Sequence, residues 1–231
     1  MTVLLQSSPF LKAPPHAPWI VGVAHFACGT LPYPLSRRDV ERDTDWAARV
    51  YGWLGLEPRR LVHLIGDGSE EISWWPFENA AMRQRMPWIQ AESGAFDASR
   101  TDMILRRFKL QAVVGLSEAV LDGLIERGRD PVKQLGGLQA VVATPKAASR
   151  LKALGLSPWT ILHIGPVLAF ESPDGGGARY DENEWRIDSV DGELTLTNIH
   201  ARACPFANLR TGLPGSVEII DGERRVFAGA A

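Results

Sequence analysis

Two patterns of apolar residues alternate through the first two thirds of the chain. Leu61–Ile65, Trp88–Ala91, Ala112–Gly115, Leu138–Ala143 and Thr160–Ile164 are short, nearly continuous apolar runs, the signature of strands buried on both faces. Between them, apolar residues recur every three or four positions, which predicts helices over Trp74–Met86, Ser99–Phe108, Ser117–Arg127 and Pro145–Gly155. Pro76 suits the first turn of its helix, where its missing N–H costs nothing. An earlier helix opens at Ser36, an N-cap residue with Asp39 placed to reach back to it. Val40, Ala47, Val50, Tyr51 and Leu54 fall on one face of that helix, and Gly55 ends it. The alternation predicts an α/β fold, with a mostly parallel sheet flanked by helices.

The pattern changes at the glycine run of Pro173-Asp-Gly-Gly-Gly177. Glu184–Val190, Glu193–Asn198, Ser216–Ile220 and Arg225–Phe227 then read as strands. Asp191-Gly192 and Asp221-Gly222 supply the positive-φ turns of antiparallel hairpins. The organisation expected is an extended, proline-rich arm over 1–18, an α/β unit over 19–172 and a small β unit over 173–231, packed as one compact domain. Within the α/β unit, the apolar run Trp19–Phe26 ends in what reads as a turn cluster, Cys28-Gly-Thr-Leu-Pro-Tyr-Pro34.

Net charge narrows the function classes. Twenty-five basic against 27 acidic side chains give −2, so no basic field exists to hold a nucleic acid backbone. No apolar run reaches membrane-spanning length, and the N-terminus lacks the basic and apolar regions of a signal peptide. Two distant cysteines make no disulfide framework and suit a reducing compartment, so a cytoplasmic location is expected.

Gly192-Glu-Leu-Thr-Leu-Thr-Asn198, followed by Pro205 to Gly212, resembles a segment of the phenylacetate–CoA ligase branch of the adenylate-forming enzymes, which reads G-E-L-V-V-T-N-L and then P-L-I-R-Y-R-T-G-D. Arg210, Thr211 and Gly212 match. The aspartate that follows in the family, which holds the AMP ribose, is Leu213 here. Cys28–Pro34 stands where the family has its phosphate loop, S-S-G-T-T-G-K-P; Gly29, Thr30 and Pro34 match, while Pro32 and Tyr33 replace a glycine and the lysine. Leu162–Val167 stands where the family reads D-x-Y-G-x-T-E. Gly165 matches, but Val167 and Leu168 stand near the threonine and the magnesium-binding glutamate. The family's mobile C-terminal domain, with its lysine, has no counterpart in the chain. The resemblance implies the ligase-core fold with degenerate remnants of the cofactor site at Gly29, Thr30, Gly165, Arg210, Thr211 and Gly212. It also implies that ATP and magnesium binding are lost, so no cofactor is expected.

Other residues carry candidate chemistry of their own. His25, His63 and His163 fall in predicted strands, and with Cys28 they would form a catalytic cluster if the strand ends converge. His200-x-x-x-Cys204 has ligand-like spacing, yet too few further ligands exist for a zinc site, and no metal is expected. Gly66-Asp-Gly-Ser-Glu-Glu71 reads as a solvated acidic turn. Trp74, Trp75, Phe77 and Trp88 are candidates for an aromatic acyl or aryl pocket. Three readings follow. The first is a non-catalytic, pseudo-enzyme relative of the ligases that binds a protein partner or a second copy through Trp46, Trp53, Trp74, Trp75 or the arm. The second is an ATP-independent acyl- or CoA-binding enzyme using Cys28, His25 or His163. The third is one subunit of a split ligase.

Overall fold

The computed structural model describes residues 17–27, 29–68 and 71–229. The arm up to residue 16 and Cys28 therefore lie outside the described residues.

Two strands, β1 (Ile20–Phe26) and β2 (Gly29–Leu35), form an antiparallel hairpin, and α1 (Arg37–Trp53) follows. Next come β3 (Leu61–Gly66), α2 (Glu71–Arg83), β4 (Trp88–Glu92), α3 (Ala98–Arg107), β5 (Leu110–Leu116), α4 (Glu118–Glu126), the short α5 (Pro131–Leu135), β6 (Ala140–Ala143), α6 (Pro145–Ala153), β7 (Trp159–Ile164) and β8 (Val167–Glu171). The six-stranded sheet has the order β4-β3-β5-β6-β7-β8; its first five strands are parallel, and β8 returns antiparallel to β7. A second, antiparallel sheet has the order β12-β11-β10-β9, built from β9 (Trp185–Val190), β10 (Glu193–Asn198), β11 (Leu209–Ile220) and β12 (Glu223–Ala228). The α/β class and the separate β unit read from the sequence are thus the observed architecture.

Strand alternation divides the core. Val62, Leu64, Ala112, Val114 and Val142 pack against α1 and α2 through Val50, Tyr51, Phe77 and Ala80. Ile65, Val113 and Val141 face the other way, onto Ile104, Leu121, Leu124 and Leu151 of α3, α4 and α6. β5 is buried along its whole length, as a central parallel strand covered on both faces must be. A third cluster joins the hairpin to the small sheet through Tyr33, Leu35, Ile164, Trp185, Leu196, Phe206 and Val226.

Local signals account for most boundaries. The Ser36–Asp39 capping box forms in full, and Ser117 Oγ accepts from the Val120 amide at 3.1 Å. Asp191 and Gly192, like Asp221 and Gly222, take positive φ in tight hairpin turns. Three readings need correction. Residues 29–34 are strand, not a turn cluster: Thr30, Pro32 and Pro34 sit opposite His25, Val23 and Val21 in the ladder. Proline is tolerated there because a two-stranded hairpin leaves one side of each strand without a ladder partner. Helix α3 starts before Ser99, with Asp97 at its N-cap position. Helix α2 begins at Glu71 rather than Trp74, which puts Pro76 inside it.

Candidate functional site

The C-terminal ends of the parallel strands are where open α/β sheets bind ligands. Here one side chain, Trp74, packs over the ends of β3 and β5. A methyl group built on Gly66, at the end of β3, would come within 2.4 Å of the Trp74 indole, and one on Gly115 of β5 within 2.7 Å. The same indole lies 6.3 Å from the His163 ring of β7 and 5.7 Å from Phe77. Trp74 is 5% exposed, so it is interior rather than an interface residue. The same holds for Trp46, which is buried and meets Trp53 edge-on at 4.9 Å.

The remaining pocket candidates separate. Phe77 is buried between Tyr51, Trp74 and Phe170. Trp75 turns toward Trp19, 5.0 Å away, on the hairpin side. Trp88 lies on the edge strand β4, packed at the margin of the second cluster. Trp74, Phe77 and Trp88 thus share one apolar cluster, and Trp75 joins another.

His63 is held by partners of its own. His63 is fully buried, with Nδ1 3.0 Å from the Ile89 carbonyl and Nε2 3.2 Å from Thr101 Oγ1. Burial pulls its pKa below the usual histidine range, against the smaller opposing effects of the Ile89 carbonyl and Asp97. It is a core residue facing α3. His25 is partly buried on β1, opposite Thr30, and His163 is partly buried on β7. Cys204 is buried, and burial pushes its thiol up to about 12, out of the range of a reactive thiolate. Exposed His200 does not share that environment. Among the described residues, no group of three or more His, Cys, Asp or Glu side chains is placed to hold a metal ion.

The residues matched to the ligase motif make structural contacts. Phe26 and Gly29 are ladder partners. Gly165, at φ +58°, turns β7 into β8, and a Cβ there would lie 2.3 Å from the Phe26 ring. Arg210 is held by Asp191 and Glu193 at 2.9 and 2.8 Å on the exposed face of the small sheet. Thr211 is buried, and its hydroxyl donates to the Leu194 carbonyl at 2.8 Å. The Gly212 amide donates to Glu193 at 2.7 Å. Leu213 packs against the cluster shared by the hairpin and the small sheet.

A polar network that sequence reading did not reveal lies between α1 and the small β unit. Arg202, with a side chain 1% exposed, grips Asp43 through Nη1 at 3.0 Å and Nη2 at 2.5 Å, and reaches Glu184 at 3.2 Å. Arg42 pairs with Asp39 at 2.8 Å and Glu184 at 3.0 Å, and Arg49 with Asp181 at 2.8 Å. Burial alone would raise the Asp39 carboxyl, but Arg202 and hydrogen bonds from Ala203 and Ser36 hold it below the usual range. Asp181 and Glu184 remain raised, because burial outweighs the arginines beside them. The only sequence signal was Asp39, legible as a helix cap but not as part of this network.

Beside the network runs a cleft of about 30 Å³, room for about two water molecules. Tyr33, Asp43, Trp46, Phe77, Asp181 and Trp185 form its polar and aromatic walls.

No family model matches the chain, and no curated protein matches it. Solved structures do. A 2-hydroxyisobutyryl-CoA ligase, in complex with 2-HIB-AMP and CoA, superposes with a TM-score of 0.69 at 14% identity, covering 91% of this chain and 57% of that one. The o-succinylbenzoate CoA synthetase of Bacillus subtilis superposes with a TM-score of 0.63 at 12% identity, covering 93% and 49%. An ATP-bound RpMatB-BxBclM chimera gives 0.62 at 11%, covering 90% and 47%. The fold is therefore that of the adenylate-forming CoA ligase core. The chain spans about half the length of these enzymes.

Proposed function

We propose that this chain is a non-catalytic relative of the phenylacetate–CoA ligase branch, a pseudo-enzyme that acts by binding a partner in an acyl or aryl acid pathway. The observation that carries the reading is the hairpin. Where the resemblance puts a phosphate loop, β1 and β2 are zipped from Ile20–Leu35 to Phe26–Gly29. The segment that would wrap a triphosphate is committed to a ladder, and Pro32 contributes no N–H at all.

Two further contacts support it. Leu213 packs against apolar side chains at the position matched to the ribose-binding aspartate. Trp74 packs over the ends of β3 and β5. A carboxylate would have to be buried, and an indole expelled, before AMP could sit there.

Acid-dependent exchange of radiolabelled pyrophosphate into ATP tests the reading, run with magnesium over a panel of short-chain, fatty and aryl acids. Background exchange with every acid is the expected result. Exchange above background with any acid would show adenylation and end the pseudo-enzyme reading.

A further inference from the structure

Trp74 does not line the cleft beside the buried network, and the chemistry there is that of charged side chains. Beside the cleft four carboxylates, Asp39, Asp43, Asp181 and Glu184, are paired with three guanidiniums, those of Arg42, Arg49 and Arg202, and of the carboxylates Asp43 and Asp181 line the cleft. The set is one positive charge short. The aromatic walls are already used to bind cations: Arg49 lies over the Trp46 ring at 5.2 Å and Arg202 over Trp185 at 5.0 Å.

Tyr33 supplies an independent observation. It lines the cleft, is 2% exposed, and its hydroxyl has no hydrogen-bond partner among the described residues. Its ring is fixed by stacking on Phe206, 5.7 Å away. A buried hydroxyl left unsatisfied is costly, so it points to an occupant that bonds to it. That occupant must be small, given about 30 Å³ of space.

We propose that the cleft binds the ammonium head of a small primary amine. The ammonium group offers three N–H donors and no acceptor, which matches the Tyr33 oxygen and the carboxylates of Asp43 and Asp181. Its charge completes the balance of the cluster. Trp46, Phe77 and Trp185 line the same cleft, which has room for the ammonium head alone, so the short alkyl tail extends out past its apolar lining of Leu35, Ile72 and Val167. This site does not depend on whether the protein forms adenylates.

Isothermal titration calorimetry with propylammonium chloride at pH 7 tests it, with potassium chloride and propan-1-ol as controls for a bare cation and a neutral isostere. The expected result is saturable binding of propylammonium alone, weakened about tenfold or more in Tyr33→Phe, which removes one bond to a charged group and keeps the ring. The proposal also predicts nuclear Overhauser contacts between the propyl protons and the Trp46 and Trp185 indoles, a readout that needs no variant. Absent or equal propylammonium and propanol binding, competition by potassium, or full affinity in a folded Tyr33→Phe protein would overturn it, leaving the cleft to water or a simple ion.

Discussion

Arg202 and Asp43, 159 residues apart in sequence, meet in a two-pronged ion pair with Nη2 and Oδ2 at 2.5 Å. The pair ties α1 to the segment between β10 and β11, and it does so inside the protein, where the Arg202 side chain is 1% exposed. Replacing Arg202 with methionine keeps volume but strands Asp43 and leaves Glu184 and Asp39 with Arg42 alone. The expected loss is about 3–5 kcal/mol, the usual consequence of breaking a buried pair from one side. Urea denaturation checks it; a loss under about 1 kcal/mol would show that the network is solvated, as surface pairs are.

Gly165 and Phe26 make a second such relationship. The glycine has φ +58°, and a Cβ would lie 2.3 Å from the ring. Gly165→Ala therefore combines backbone strain with overpacking, and should cost about 1–3 kcal/mol. Phe26→Ala in the same background opens the space but leaves the strain, so the two changes should be non-additive. Simple additivity in denaturation midpoints would mean that the ring does not close over the β7–β8 turn.

His63 predicts a pH dependence. Burial lowers its folded-state pKa, so the unfolded chain takes up a proton first. Its contribution to stability is complete above the unfolded value of about 6.5 and falls as pH drops from there toward the folded value. Asp181 and Glu184 act in the opposite sense at lower pH, because their raised carboxyls bind protons more tightly in the folded state. The difference in stability between the native protein and His63→Gln isolates the histidine. That difference should shrink on acidification below pH 6.5; a constant difference would contradict the burial argument.

The sheet was readable because β3, β5 and β6 are buried on both faces and so appear as unbroken apolar runs such as Ala112-Val-Val-Gly115. The Asp-Gly turns were readable because few other residue pairs tolerate two positive φ angles in succession. The strand β2 was not, because Pro32 and Pro34 signal a turn locally while the hairpin accommodates them at ladder positions opposite Val23 and Val21. The strand β8 was missed because Gly165 matched a motif, which masked a two-residue hairpin turn between Ile164 and Val167. The buried network was illegible for a different reason. Asp39, Asp43 and Arg49 look like the polar face of α1, and nothing local shows that Arg202 and Asp181 cover that face. Of Trp74, Trp75, Phe77 and Trp88, only Trp75 turns to a different cluster, because the two neighbours Trp74 and Trp75 project from different faces of one helix.

The central claim is that the nucleotide crevice of the ligase fold is closed by this chain's own side chains. Thermal unfolding with ATP and AMP, each with and without magnesium, tests it most directly. A nucleotide at a hundred times its dissociation constant would add about 2.7 kcal/mol of stability. Unchanged melting temperatures up to millimolar nucleotide are predicted. A saturable rise with either nucleotide that Trp74→Ala does not enhance would show an open crevice, and contradict the account.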